Sequence, residues 1–301
     1  MKMKKNYATL GLALALAACG GAQKAAPPTD STLSQDMDTG HDAVGLDRLA
    51  VAEQQYRAAG QRAVARDDVT AIGDAGYNLA TVQLDENKPQ DALATITSTR
   101  AAVALRGQAT DDTGLDLVQA GALHRLGREA EAAKQAALAA GAQDPDIAEK
   151  GQFIRGLIAD ESGDGATLAS VAAYFETLTG KLPDSWTADG KEMAARNLLA
   201  TGGSAQTAWQ DALQAATIRQ TQVHYRDMAR ALGVAARAAT KAGNVQAAAQ
   251  LYARASQSAR QAGDTTAADQ WAKLAGTAPV ADPFAAPAAT AAKDTAGKSG
   301  K

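Results

Sequence analysis

At 301 residues the chain is long for one compact core and ordinary for a stacked array. Hydrophobic residues make up 46% of it and aromatics only 4%, with alanine supplying most of the apolar share; alanine is the best helix former, which argues for an all-α fold and against a β-rich one. A formal net charge of −3 excludes the basic footprint of a nucleic-acid binder, and the single cysteine, Cys19, excludes an intramolecular disulfide.

Taken in order, the chain opens with Lys2, Lys4 and Lys5, then the apolar run Tyr7–Ala18. That run is too short to span a bilayer as a mature helix and fits an export signal. It ends in Leu16-Ala17-Ala18-Cys19-Gly20, which resembles the lipobox of bacterial lipoproteins. The resemblance implies a signal peptide over residues 1–18, a diacylglyceryl group on the Cys19 sulfur, and acylation of the new amino terminus, for instance by palmitate. Each buried methylene adds about 0.8 kcal/mol of membrane affinity, so several chains anchor durably. Gly20 stands where an aspartate would favour inner-membrane retention, which leans toward the outer membrane, facing the periplasm. A plain secretory signal with an incidental cysteine is the alternative. Cleavage leaves 27 basic against 33 acidic residues.

Residues 19–45 contain Pro27-Pro28, several Ser and Thr, and few large apolar side chains. Too little surface is on offer to fold, so the segment is expected to be a disordered tether, with His41 incidental at its end. From Leu46 to Gly276 the pattern is helical almost throughout. Leu46–Arg66 is amphipathic, and Asp67-Asp68 can cap a helix running to about Asp85. Pro89 suits the first turn of Gln90–Leu105. Leu117–Leu126 and Ala130–Ala140 form a hairpin about Gly127. Further pairs follow: Ile147–Ser162 with Ala166–Thr179, Ala188–Ala200 with Ala205–Ile218, and Tyr225–Ala242 with Val245–Ala262. Thr265–Ala275 would close the stack. Beyond Gly276 the Ala/Pro/Lys-rich residues 277–301 lack periodicity and are expected to be disordered.

Asn87, Gly127, Gly163, Gly203 and Gly243 are separated by 40, 36, 40 and 40 positions. Five positions beyond each stands Ala92, Ala132, Leu168, Ala208 or Ala248. A recurring period in this range predicts an α-solenoid of antiparallel helix pairs, none able to bury its apolar face alone. Two units, Leu117–Asp146 with His124-Arg125-Leu126-Gly127-Arg128 and Leu232–Asp264 with Lys241-Ala242-Gly243-Asn244, resemble the tetratricopeptide repeat family. The intervals exceed the family's period of about 34 residues, and its first-helix aromatic is missing in several units. A different α-solenoid or a non-repetitive bundle stays open.

Catalytic constellations are not in evidence. His124 and His224 have no second His or Cys at metal-ligand spacing, and Asp160-Glu161 with Asp164 reads as a solvated acidic turn, not a calcium loop. Ala292–Ser299 imitates a phosphate loop but lacks the strand and helix that the mechanism needs, so no nucleotide, cofactor or metal is expected. The resemblance implies that the first helix of each pair lines a concave groove. Asn78, Arg155, Asn197 and Arg237 would then present donors to an extended peptide or its carboxylate, against the plainer reading of solvated helix faces. Trp186, expected in the loop after Leu182-Pro183-Asp184-Ser185, is either a plug over a hairpin or an exposed anchor. Phe153, Tyr174, Phe175, Trp209 and Tyr252 are expected in the core. The leading expectation is a non-catalytic, lipid-anchored scaffold for an envelope protein or peptide. It resembles lipoproteins of pilus, secretin or peptidoglycan-related assembly. A small-ligand-binding lipoprotein serving a transporter is the alternative, and an envelope enzyme the third.

Overall fold

The structure, a computed structural model, describes residues 30–107 and 112–276. The export signal, Cys19, the start of the expected tether and the 277–301 tail with its phosphate-loop imitation lie outside the described residues. Within the described residues are thirteen helices and no strand: α1 (Ser31–Gly45), α2 (Leu49–Ala65), α3 (Val69–Asp85), α4 (Pro89–Ala104), α5 (Thr113–Arg125), α6 (Glu129–Ala139), α7 (Pro145–Ser162), α8 (Gly165–Thr177), α9 (Asp184–Thr201), α10 (Ala205–Thr221), α11 (Tyr225–Lys241), α12 (Val245–Gln261) and α13 (Thr265–Ala275). None of these is long and apolar enough to cross a membrane.

One turn design recurs along the chain. A residue with positive φ ends a helix, and the next amide reaches back to the carbonyl five positions earlier. Examples are Lys88 to Gln83 at 2.8 Å, Arg128 to Leu123 at 2.9 Å, Asp164 to Ala159 at 2.9 Å and Asn244 to Ala239 at 2.9 Å. This is the six-to-one bond that satisfies orphan carbonyls at a helix end. Asp164 and Asn244 then accept the amides of Thr167 and Ala247, so one residue closes a helix and caps the next. The left-handed residue is glycine in most turns and Asp47, Asp67 or Asn87 in three. In the fourth predicted pair it is Gly202, one position before the glycine that the spacing selected. At Val223 it is a β-branched residue with φ 62°, for which nothing in the structure gives a reason.

The expected tether is corrected over its second half, where residues 31–45 form α1. Asp30 caps it by accepting the amides of Thr32 and Leu33, both at 3.1 Å, and pairs with Arg62 of α2 at 2.7 Å. Leu33, Met37 and Ala43 recur at helical spacing and pack on α2 and α3. Gly40 lets the Tyr56 ring lie directly on the α1 backbone, since a Cβ there would stand 2.5 Å from Tyr56 Cε1. His41 meets Tyr56 edge-on, with ring centroids 5.5 Å apart. The segment therefore completes a first hairpin with α2.

Each helix packs against its successor, and from α3 to α11 each odd helix also touches the next odd one. The odd helices thus form a continuous inner layer and the even ones an outer layer. The C-terminal core is mainly alanine: Ala231, Ala235, Ala238, Ala239 and Ala255 have no exposure. Of the five expected core aromatics, Phe153, Phe175 and Tyr252 are buried and Tyr174 and Trp209 half-buried. Trp186 is not in a loop; it lies in the first turn of α9, half-buried, and its Nε1–H donates to Asp146 at 3.1 Å.

Candidate functional site

The stack curls until its two ends meet. Arg226, at the start of α11, donates to Asn87 in the α3–α4 turn at 3.2 Å, across 139 positions of sequence. The same guanidinium holds Asp264 at 3.0 Å and the Ala262 carbonyl at 3.1 Å, which joins the α12–α13 turn to the contact. Two cavities flank this closure. One of about 710 Å³ lies among the turns, bordered by Asp47, Asp85, Val223 and His224. The other, of about 460 Å³, lies inside the curl, with Tyr77, Leu84, Leu117, Phe153 and Leu157 on one wall and Ala229, Ala267 and Trp271 on the other. Gly233 makes room for Trp271, whose ring would lie 2.4 Å from a Cβ at that position.

Charges from α7, α9, α10 and α11 interlock beside the inner cavity. Asp189 has no exposure and receives both Lys150 and Arg219. Glu192, also fully buried, takes Arg196 at 2.8 Å and Arg230 at 2.9 Å. Asp160 takes Arg196 at 2.6 Å and Arg237 at 2.8 Å, and between them these two arginines lower its pKa against the opposing effect of burial. Arg230 also lies 4.8 Å from the Phe153 centroid and Lys150 Nζ lies 5.5 Å from it, so the ring carries cations at the cavity wall. Buried charges of this kind are tolerable only because each meets an opposite charge with good geometry.

Glu149 is the least well matched of these charges, with Lys150 Nζ 3.7 Å from its Oε2. It has no exposure, and neither carboxyl oxygen has a hydrogen-bond partner. Burial and then the neighbouring Asp189 charge push its pKa up to about 8. A buried carboxyl with a strongly shifted pKa is what an enzyme reading expects, but Glu149 lines neither of these cavities.

The nominated binding residues fall on inner-layer helices and are not gathered at one point. Asn78 on α3 donates to the Asp74 carbonyl of its own helix at 2.8 Å. Arg155 on α7 holds Gln152 at 2.8 Å. Asn197 on α9 has a buried Oδ1 with no hydrogen-bond partner among the described residues. Arg237 on α11, nominated to meet a carboxylate, already holds one in Asp160, while its side chain stays 42% exposed. The charge ladder was missed, although Asp189, Glu192 and Arg196 stand at positions i, i+3 and i+7 between buried Ala188 and Leu199. A charged stripe on an apolar helix face was the available signal. Curling also brings Glu161 to His124: its Nδ1 meets Glu129 at 2.9 Å and its Nε2 lies 3.9 Å from Glu161. Spacing could not show this cluster, because Glu161 comes from the next hairpin.

No family model matches the sequence, and no curated protein matches it. Among solved structures, the chain is similar to a tetratricopeptide repeat protein from Parabacteroides merdae, at 15% identity and a TM-score of 0.45, over 82% of this chain and 93% of that one. It is also similar to the TPR2AB domain of yeast Sti1 in complex with pHSP90, at 14% identity and a TM-score of 0.35, over 82% of this chain and 99% of that one. With likeness at this level, the solenoid description rests on the chain's own stacked hairpins.

Proposed function

We propose that this chain is a non-catalytic interaction scaffold that binds a protein or peptide of the cell envelope. In this reading lipid on Cys19 anchors it to the outer membrane, and the solenoid faces the periplasm. The observation that supports binding is the curled inner layer. Its odd-numbered helices touch one another in series from α3 to α11, and on that layer Arg155 and the 42%-exposed Arg237 line neither cavity and stay open to a partner. Support for the anchor comes from Leu16–Cys19 alone. A photo-crosslinking residue at position 155 or 237, in intact cells, should trap an envelope protein. The same residue at Arg128, on the exposed α5–α6 turn, should not. A Cys19→Ala chain should leave the membrane fraction. Recovery of no protein from either inner-layer position would overturn the scaffold reading.

The size of the inner cavity favours a second reading, a small-ligand-binding lipoprotein accessory to a transporter. About 460 Å³ falls in the range of small-molecule sites. The apolar burial lies around Phe153 and Trp271, and neither Trp186 nor Tyr174 takes part in it.

A further inference from the structure

Among the described residues, one cation lining the inner cavity has no carboxylate within ion-pair distance. Arg125, near the end of α5, lines both cavities. Its Nη1 donates to the Leu84 carbonyl at the end of α3, and no carboxylate of the described residues lies within ion-pair distance of it. The other arginines of the wall are matched: Arg226 by Asp264 at 3.0 Å and Arg230 by Glu192 at 2.9 Å and Asp227 at 2.7 Å. Asp85 and Asp227 act on Arg125 only at longer range. Burial, with the like charges of Arg226 and Arg230, pulls its pKa down to about 10, so the guanidinium is charged at neutral pH but poorly compensated. Guanidinium presents a planar fork of donors that suits a carboxylate.

Next to this fork the wall turns apolar. Leu84, Leu117, Val118, Phe153, Leu157 and Trp271 supply its apolar part, and the other charged side chains of the lining, among them Lys150 with Asp189, Arg226 with Asp264 and Arg230 with Asp227, are paired with one another. Such a pairing, one cation without an ion-pair partner among the described residues beside an apolar stretch of wall, fits a ligand with a single anionic head and an apolar body. The far wall is supplied by Ala259 of α12 and Ala267 and Trp271 of α13.

We propose that the inner cavity binds a small carboxylate with an unbranched apolar body, its head group on Arg125 and its chain against Phe153 and Trp271. The site is additional to the partner surface, and it can fail or hold independently of crosslinking at positions 155 and 237.

Titration calorimetry with sodium dodecanoate, below its micelle concentration, tests this on the chain as it exists. The wild type should bind one equivalent. Arg125→Gln should weaken binding about tenfold or more, the usual loss when a hydrogen-bonded charge partner is removed. Arg125→Lys should fall between. Leu117→Trp, which fills the chamber and leaves Arg125 in place, should abolish binding. Circular dichroism of each variant separates loss of the site from loss of the fold. Dodecanol and dodecyltrimethylammonium should not bind, and an apolar-ended peptide should bind more weakly than dodecanoate. Equal affinity of wild type and folded Arg125→Gln would overturn the proposal, as would dodecanol or the peptide binding as tightly as dodecanoate, or no heat with dodecanoate at all.

Discussion

The α11–α12 hairpin and the α7–α9 contact solve the same problem in opposite ways. The hairpin joins two helices within one cluster of mostly small side chains: Ala231, Ala235 and Ala239 of α11 and Ala248 and Ala255 of α12, together with Leu232 and Leu251. Small residues let the backbones approach, and close packing supplies the attraction. At α7–α9 the helices meet through Lys150, Asp189, Glu192, Arg196 and Asp160, with Phe153 and Met193 alongside. The first interface is tolerant of which alanine faces which; the second requires each charge to find its partner. One stretch of the inner-cavity wall, Lys150 and Asp189 with Phe153, is built from the second kind, so its shape there depends on ion-pair geometry.

This contrast can be broken from either side. The largest effect is expected from Arg219→Ala, which strands Asp189 in the interior with one cation fewer. Removing one partner of a buried pair costs about 3–5 kcal/mol, and urea unfolding should register it. A volume-matched Arg219→Met should lose less than the alanine variant if packing contributes. On the alanine side, Ala235→Leu forces a larger side chain between α11 and its neighbours. Its expected cost is about 1–3 kcal/mol in the same assay, with the cavity wall unchanged.

A smaller effect sharpens the charged side. Folded Glu149 holds its proton up to about pH 8, whereas the unfolded side chain loses it near 4.5. Between those values the folded state binds the extra proton. The stability that Glu149 contributes is therefore full below pH 4.5 and is lost as pH rises toward 8. Asp189, Lys150, Arg219 and Tyr174 are the charged or titratable groups around it. Glu149→Gln removes this slope. Thermal melts should show the variant gaining on the wild type by several degrees from pH 5 to pH 8, and parallel curves would contradict the assignment.

Much of the stack was legible because its turns are written in residue types. Gly127, Gly163 and Gly243, with Asn87, mark the left-handed positions, and the helices between them follow alanine-rich periodicity. α1 was not legible as a helix, because Ser, Asp, Gln and Thr dilute an apolar stripe of only Leu33, Met37 and Ala43. What orders it is the Tyr56 face it covers, a contact outside its own segment. Trp186 was misplaced because Pro183 reads as a loop residue, yet it stands as the N-cap of α9. The closure of the curl had no local signature: Arg226 and Asn87 are ordinary polar residues until the intervening hairpins have added up their small rotations.

That closure carries the account, since the larger cavity runs from the α1–α2 turn to the α12–α13 turn and the inner one from α3 to α13. Asp47 and His224 border the same 710 Å³ cavity and are exposed. Spin labels on Asp47→Cys and His224→Cys, in a Cys19→Ala background, can be measured by pulsed electron resonance. A closed curl predicts one narrow distribution at short separation. A broad distribution at long separation would mean an open superhelix, with neither cavity and no site at Arg125.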